Sequence, residues 1–303
     1  MIIINLIILL IVPFLMIGLI KNTKSFWAGR KGPSIFQPMW DFIKLLKKDF
    51  VISDTTSVVF RIAPIFAIAT VLFASVFMPM AGGKAIITVP VGLIIFAYTL
   101  GLGKFISLIS AMDTGSSFEG MGASREASFT SIVEPAFFMI MASIMALTGN
   151  YTFESLSKVM ENAGSYGVLI TIITVFVFFI MILVEGSRVP VDDPETHLEL
   201  TMIHEVMILD NSGSDLALIS WANYIKMFLY SSLIANMLIP SGLSDVISVI
   251  LYSIVMAVIS IAVGTVESGM ARIRMTHVFE FVFIMSSLAL VILSLIFARM
   301  FGG

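Results

Sequence analysis

The sequence predicts an all-α protein, a polytopic membrane helix bundle of about eight transmembrane helices with long cytoplasmic loops. Of its 303 residues, 58% are hydrophobic and only 12% are charged, and the mean hydropathy is +1.05. A soluble domain carries about 25% charged residues, so this chain has too little polar surface for a water-soluble globule. It also lacks the clustered basic face of a nucleic-acid binder. Cysteine is absent, which excludes disulfides, thiolate metal sites and iron–sulfur ligation by this chain.

Eight apolar segments are long enough to cross the hydrocarbon layer, which takes about 20 residues of helix. They lie at 2–20, 62–80, 86–106, 129–148, 167–185, 217–239, 246–266 and 278–298. The segments are continuous, whereas β-barrel strands would be alternating runs of about 10 residues. We therefore expect a single transmembrane domain over 1–303.

The basic residues predict which side of the membrane each loop faces. If the N-terminus is outside, 13 of the 17 Lys and Arg residues fall in the four inner segments and three fall in outer ones. The inner segments are 21–61, 104–128, 186–216 and 267–277. Because cytoplasmic loops are enriched in Lys and Arg, this bias predicts that both termini lie outside.

The first cytoplasmic loop, 21–61, contains a predicted amphipathic helix with the sequence PMWDFIKLLKKD at 38–49. Trp40, Ile43 and Leu46 lie close to one helical face, and the lysines lie on the others. Two compatible interpretations follow: a helix that lies on the inner leaflet, and a docking platform for a soluble subunit.

The cytoplasmic loop 186–216 is acidic. Between positions 185 and 215 there are eight acidic residues and one basic residue, Arg188, which reverses the charge expected of an inner loop. An acidic N-cap followed by proline is a favourable helix start, and it predicts a helix over 193–209. The loop is either a solvated segment or an acidic cavity beneath the membrane that connects to it through Glu185.

Several ionisable residues lie inside or at the ends of the predicted spans, where a charge costs a few kcal/mol unless it faces protein or water. Glu134 lies about six residues into the fourth span and precedes Pro135. Glu185 ends the fifth span. Lys226 lies inside the sixth, where it could also extend its amine towards the interface. Carboxyl groups in a low dielectric, joined by water or by the two histidines of the acidic loop, could pass protons near neutral pH.

No motif indicates catalysis or metal binding. HEVMI at 204–208 lacks the second histidine of HExxH, and His197 and His204 lie about 10.5 Å apart along a helix, too far to share one metal ion. GLGK at 101–104 and GMGASR at 120–125 do not follow strands, so they are not phosphate loops. We therefore expect no catalytic residue, cofactor-binding residue or metal ligand in this chain.

Three segments resemble the subunit 1 (H) family of respiratory complex I. GRKGPSIFQPMWDFIKLLKKD at 29–49 resembles its first inner loop, and GASREASFTSIVEP at 122–135 resembles the start of its fourth span. EGSRVPVDDPETHLEL at 185–200 resembles its acidic loop. The run DDPETHLELTMIHEVMILDNSG at 192–213 is more similar still to one branch, the membrane subunit of group 4 energy-converting nickel–iron hydrogenases, which includes formate hydrogenlyases.

The resemblance implies a non-catalytic, ion-translocating subunit that anchors a peripheral redox arm in the inner membrane of a prokaryotic cell. The implied partners are peripheral hydrogenase-like small and large subunits, antiporter-like membrane subunits and the lipid bilayer, with no nucleic acid. A nickel–iron centre and iron–sulfur clusters are expected in the partner subunits. Reduction of the nearest cluster would change the charge beneath the acidic loop, and the change would pass through it to Glu134.

The resemblance and the ionisable residues together give a set of candidate sites. The candidate ion pathway consists of Glu134, Glu185, Asp192, Glu195, His197, Glu199, His204, Glu205 and Lys226. The candidate docking residues are Arg30, Lys31, Gln37, Arg125 and Arg188. His197 stands where quinone-reducing members of the family have an acid, and the pattern after Leu200 also departs from theirs. These departures suggest a vestigial or repurposed quinone cavity.

Three alternatives remain open. The chain could be the same subunit in a related complex that reduces a sulfur compound, or it could be the quinone-reducing subunit itself. The acceptor chemistry lies in the partner, so the sequence does not separate these. A stand-alone secondary transporter belongs to a different class; transporters often have internal repeats with broken helices, and we find no convincing repeat.

Overall fold

The computed structural model describes residues 2–81, 83, 85–149, 151–194, 202–240 and 242–301. Within these residues the secondary structure is helical, as the sequence predicts. The helices are α1 (Ile2–Trp27), α2 (Gln37–Leu46), α3 (Val58–Phe77), α4 (Gly92–Asp113), α5 (Ser117–Thr148), α6 (Glu154–Ser157), α7 (Val159–Glu185), α8 (Gly213–Leu238), α9 (Asp245–Gly269) and α10 (Met275–Phe301). The eight long helices correspond to the eight predicted spans.

Seven helices of the described chain are long and apolar enough to cross a membrane. The remaining long helix, α8, has 26 residues but is more polar than the others. It is the centre of the bundle, since it packs against α1, α2, α3, α6, α7 and α9. Phe228 on α8 and Tyr252 on α9 are among the largest fully buried side chains. By contrast, Phe176 on α7 and Val258 on α9 are more than half exposed, as expected of apolar faces that meet lipid.

The predicted inner segment 104–128 is mostly helical, which corrects the sequence prediction. Only residues 114–116 separate α4 from α5. The apolar pattern stops at Lys104 and resumes after Glu126, but these two side chains pair with each other at 3.1 Å. A paired charge can stay inside a packed bundle, so both helices continue beyond the apolar runs.

The first cytoplasmic loop contains a helix, α2, where the amphipathic pattern predicts one. Phe42 on its inner side packs against Phe14 and Trp221, with ring centroids 5.4 and 5.2 Å apart. Trp40 and Leu46 on its other side are about half exposed. One apolar face therefore holds α2 on α1 and α8, and a second apolar face points away from the bundle.

The helix predicted over 193–209 is not formed in the part of it that the structure describes. Residues 195–201 fall outside that part, and the chain beyond them makes a single 3-10 turn, Glu205–Ile208. The carboxylate of Asp192 accepts hydrogen bonds from the backbone N–H groups of the two residues before this turn, at 3.1 and 2.9 Å. An acidic side chain that captures backbone donors in this way competes with helix formation.

Two glycines allow the loops to approach one another closely. Gly213 has φ +53°, and a Cβ atom there would lie 2.5 Å from the carbonyl oxygen of Asp49. A Cβ atom at Gly122 on α5 would lie 2.3 Å from Cγ1 of Val206. The first cytoplasmic loop, the start of α5 and the acidic loop therefore form one packed layer at the same end of the bundle.

Candidate functional site

Four helices bring ionisable side chains together in the interior of the bundle. These side chains, which we call the central cluster, are Lys104 on α4, Glu126 on α5, Glu185 at the end of α7 and Lys226 on α8. The amine of Lys104 lies 2.5 Å from Glu185 and 3.1 Å from Glu126. The amine of Lys226 lies 3.5 Å from the second carboxylate oxygen of Glu185. The side chains are only 3–15% exposed, so each depends on its partners for charge compensation.

The spacing of α5 adds a third carboxyl group to this region. Glu126, Thr130 and Glu134 follow one another at intervals of four residues, which places them along one side of a helix with a rise of about 6 Å per interval. The hydroxyl of Thr130 is buried between the two acids. Glu134 therefore lies about two turns further along α5 than the central cluster's own acid.

Two small cavities flank the central cluster. The first cavity, of about 50 Å³, is lined by three members of the cluster together with His204 and Asn223. The second cavity, of about 60 Å³, is lined by three members together with Glu134 and Tyr230. A water molecule needs about 10–15 Å³ of such space and several polar partners. Each cavity can thus hold water that joins the cluster to further polar groups.

A third cavity, of about 230 Å³, lies on the side of the acidic loop. Its lining includes Lys21, Arg188 and Glu205. His204 and Asn223 line this cavity as well as the first one. The amide Nδ2 of Asn223 and the ring Nε2 of His204 are in hydrogen-bond contact. This pair is therefore the wall between the two cavities.

Two groups of the acidic loop have pKa values suited to proton exchange. Burial raises the pKa of the Glu205 carboxyl to about 7, and the negative charge of Asp192 adds to the effect. Burial lowers the pKa of the His204 imidazole to about 4, and the positive charge of Lys226 lowers it further. At neutral pH His204 is therefore uncharged, and Glu205 is partly protonated, as a proton carrier should be.

A second ion-pair network fixes the start of the acidic loop. Arg188 lies 3.2 Å from Glu267 at the end of α9, and Lys24 of α1 lies 3.9 Å from the same carboxylate. Arg272 lies 3.0 Å from Asp192. Arg188 is only 6% exposed, so its predicted role in partner docking is wrong for this side chain. It joins the ends of α7 and α9 instead.

The other predicted docking residues differ in their surroundings. Arg30 and Lys31 are exposed after α1, so they are available to a partner. Gln37 donates a hydrogen bond to Asp41 at 2.7 Å within α2. Arg125 donates to the backbone carbonyl of Met202 at 2.8 Å, and so holds the acidic loop against α5.

Among the predicted pathway residues, Glu195, His197 and Glu199 fall outside the residues that the structure describes. Lys226 does not extend outwards, because it pairs with Glu185 in the interior. The other members of the predicted set line the cavities, as above, or fix the acidic loop, as Asp192 does.

Sequence reasoning missed three residues of this site: Lys104, Glu126 and Asn223. Lys104 and Glu126 were assigned to a loop because they interrupt the apolar pattern. The spacing of eight between Glu126 and Glu134 could have placed both on one side of a longer helix. An asparagine in a span carries no comparable pattern. Among the described residues, no three His, Asp or Glu side chains converge to hold a metal ion.

Comparison with known proteins identifies relatives of this chain. A family model described as NADH dehydrogenase matches residues 1–298. Hydrogenase-4 component C of Escherichia coli K12 is 28% identical over 276 residues, which cover 88% of this chain and 84% of that protein. Formate hydrogenlyase subunit 4 of the same strain is 24% identical over 268 residues, which cover 86% of each. A subunit of the NADH-quinone oxidoreductase of Rickettsia prowazekii is 25% identical over 211 residues, which cover 67% of this chain and 61% of that protein.

A solved structure has the same fold. It is a chain in the structure of the membrane-bound sulfane sulfur reductase, described as an archaeal respiratory membrane complex. The TM-score is 0.82, the match covers 96% of this chain and 98% of that chain, and the sequence identity is 16%. The resemblance found in the sequence is thus confirmed.

Proposed function

The chain belongs to the NADH dehydrogenase family, and from this premise we propose that it is the proton-conducting membrane subunit of a respiratory hydrogenase-type complex. It is not itself catalytic. Peripheral hydrogenase-like subunits hold the nickel–iron centre and the iron–sulfur clusters, and antiporter-like subunits adjoin it in the membrane. The chain lies in a prokaryotic inner membrane with both termini outside, which the distribution of Lys and Arg supports.

The charge balance of the buried site carries this proposal. Glu126, Glu134 and Glu185 supply three carboxyl groups, whereas Lys104 and Lys226 supply two ammonium groups around the same cavities. With all five groups ionised, the site has a net charge of −1 in surroundings that penalise uncompensated charge. Binding of one proton neutralises it. A site of this kind takes up and releases a proton at small cost when the potential around it changes.

A route for the proton follows from the cavity linings. Glu205 lines the third cavity, His204 lies between the third and first cavities, and the central cluster lies between the first and second. Glu134 lines the second cavity. The route therefore runs from the acidic loop through His204 and the central cluster to Glu134, and then sideways to the neighbouring membrane subunit.

The coupling to electron transfer is electrostatic. A unit charge about 12 Å from a carboxyl group changes its free energy of ionisation by about 1.4 kcal/mol at an effective dielectric constant of 20, which is about one pKa unit. Because the pKa of Glu205 is about 7, a negative charge arriving at a cluster beneath the loop would change Glu205 from about half to about nine-tenths protonated. Reduction of the partner thus loads the route with a proton.

Glu134→Gln tests the proposal in the complex reconstituted into proteoliposomes. Electron transfer is followed with a soluble donor, and proton uptake is followed with a pH-sensitive dye in the lumen. The variant should lose most of the proton uptake per electron, because glutamine cannot exchange a proton. Glu280→Gln is the matched control, since Glu280 is an exposed acid that pairs with His277 at 3.1 Å. Unchanged uptake in Glu134→Gln would contradict the proposal, and uptake that follows added Na⁺ would assign the transport to sodium.

Reduction of a quinone in the third cavity is a second candidate function. The cavity combines Lys21, Glu205 and Tyr224 with apolar side chains, as the polar and apolar parts of a quinone would require. Its volume of about 230 Å³ is below the roughly 300–1,000 Å³ of most small-molecule pockets, which favours water and a proton. Labelling of this cavity by a photoreactive quinone analogue would support the quinone function, whereas copurification with hydrogenase-like or sulfur-reducing subunits would identify the acceptor. Purification as an active monomer would indicate a transporter.

A further inference from the structure

We propose that the pair formed by His204 and Asn223 is a proton gate between the third cavity and the first cavity. The inference deepens the proposed function and rests on it. Asn223 is the positioning residue, because it acts on the proton through His204. The gate is closed while the two side chains are hydrogen-bonded and opens when they part.

The contact between the two side chains defines the closed state. Nδ2 of Asn223 is a donor only, so Nε2 of His204 is the acceptor and the hydrogen of the neutral ring lies on Nδ1. The backbone N–H of His204 is held by the carboxylate of Asp192 at 2.9 Å. The main chain is therefore fixed, and the ring can leave Asn223 by rotation about its side-chain bonds. While the contact lasts, Nε2 cannot accept a proton.

The charged groups around His204 keep it neutral in the closed state. Lys226 from α8 and Lys104 from α4 oppose a positive charge on the ring, and Glu126 from α5 and Glu185 from α7 favour one. On its own segment, Glu205 is the adjacent residue, and Asp192 accepts its backbone N–H. Because Lys104 and Lys226 already neutralise the two acids across the first cavity, little negative charge remains to stabilise an imidazolium.

One proton passes in each opening of the gate. When His204 parts from Asn223, Nε2 accepts a proton that water in the third cavity relays from the carboxyl group of Glu205, which becomes a carboxylate. The imidazolium turns towards the first cavity and releases the proton from Nε2 to water, which relays it to the carboxylate of Glu126. The neutral ring, with its hydrogen still on Nδ1, then accepts the amide hydrogen of Asn223 again. One proton enters and one leaves, and no electrons move.

Passive proton permeability of the reconstituted complex, measured without electron transfer, tests the gate. Asn223→Leu removes the donor at nearly constant volume, so Nε2 of His204 is no longer occupied. Permeability should rise about fivefold, the population change that corresponds to the loss of one net hydrogen bond. His204→Leu removes the carrier, and permeability should be at or below that of the parent. A purely structural role would change permeability in the same direction in both variants, and that result, or no change in Asn223→Leu, would overturn the gate.

A second variant covers the case in which Asn223→Leu does not assemble, which copurification of the partner subunits would reveal. Asn223→Asp places a carboxylate beside His204 and stabilises its imidazolium form. The pH profile of proton uptake during turnover should move at least one unit to higher pH. A profile identical to that of the parent would overturn the gate. Loss of uptake in Glu134→Gln with parental behaviour of all the gate variants would leave the proposed function standing and reject the gate alone.

Discussion

The central cluster predicts a large effect for the loss of Lys104. Its amine lies 2.5 Å from Glu185 and 3.1 Å from Glu126, and its side chain is only 11% exposed. Lys104→Met keeps most of the side-chain length but removes the only charge that contacts both acids within 4 Å among the described residues. Breaking a buried ion pair on one side costs about 3–5 kcal/mol, so the free energy of unfolding should fall by about that amount.

Equilibrium unfolding in mixed detergent and dodecyl sulfate micelles measures this loss for the isolated chain. The double variant Lys104→Met/Glu185→Gln should recover part of it, because the carboxylate that loses its partner is then neutral. A coupling energy of about 1–3 kcal/mol is expected from the double-mutant cycle. Lys44→Met is the control, since Lys44 is exposed and lies 4.0 Å from Asp41; an exposed pair contributes about 0–1 kcal/mol. A loss below 1 kcal/mol, or additive effects in the cycle, would refute the charge argument.

Two further predictions concern the loops. The pKa of Glu205 is raised from 4.5 to about 7, so its protonated form stabilises the fold below about pH 4.5, and this stabilisation is lost as the pH rises through 7. Unfolding titrations of the parent should show a loss of about 2 kcal/mol between pH 5 and 8 that is absent from Glu205→Gln, and parallel curves for parent and variant would disprove the assignment. Gly213→Ala forces a Cβ atom to within 2.5 Å of the carbonyl oxygen of Asp49 at φ +53°, so limited proteolysis should cut the loops faster than in Gly29→Ala, which has φ +65° but open space around it. Equal rates would show that crowding at Gly213 has no effect.

The sequence could predict the helical spans because the physics of the bilayer is nearly one-dimensional. A continuous apolar run of about 20 residues has few alternatives to a membrane helix. The eight predicted segments accordingly correspond to eight long helices. The same reasoning identified Glu134, Glu185 and Lys226 as costly residues that need a polar environment, and all three line the second cavity.

The partners of those charges could not be predicted, because they depend on which helices become neighbours. Lys104 and Glu126 interrupt an apolar pattern, so hydropathy alone places them in a loop, whereas their mutual pairing allows both helices to continue. The helix expected near Leu209 failed for a related reason. The carboxylate of Asp192 captures backbone donors eleven and twelve residues away in sequence, and no local pattern reports such a contact.

The polarity of α8 has a consequence for the biogenesis of the protein. A lysine at the middle of a span, as Lys226 is in α8, raises the free energy of insertion by roughly 2.5–3.5 kcal/mol on a translocon scale. Its counter-charge, Glu185, ends the preceding span α7, and only the acidic loop separates the two helices. Delivery of α8 to the lipid phase should therefore depend on α7 still being present beside the insertion channel, so that both segments are released together as a hairpin with the charge already neutralised.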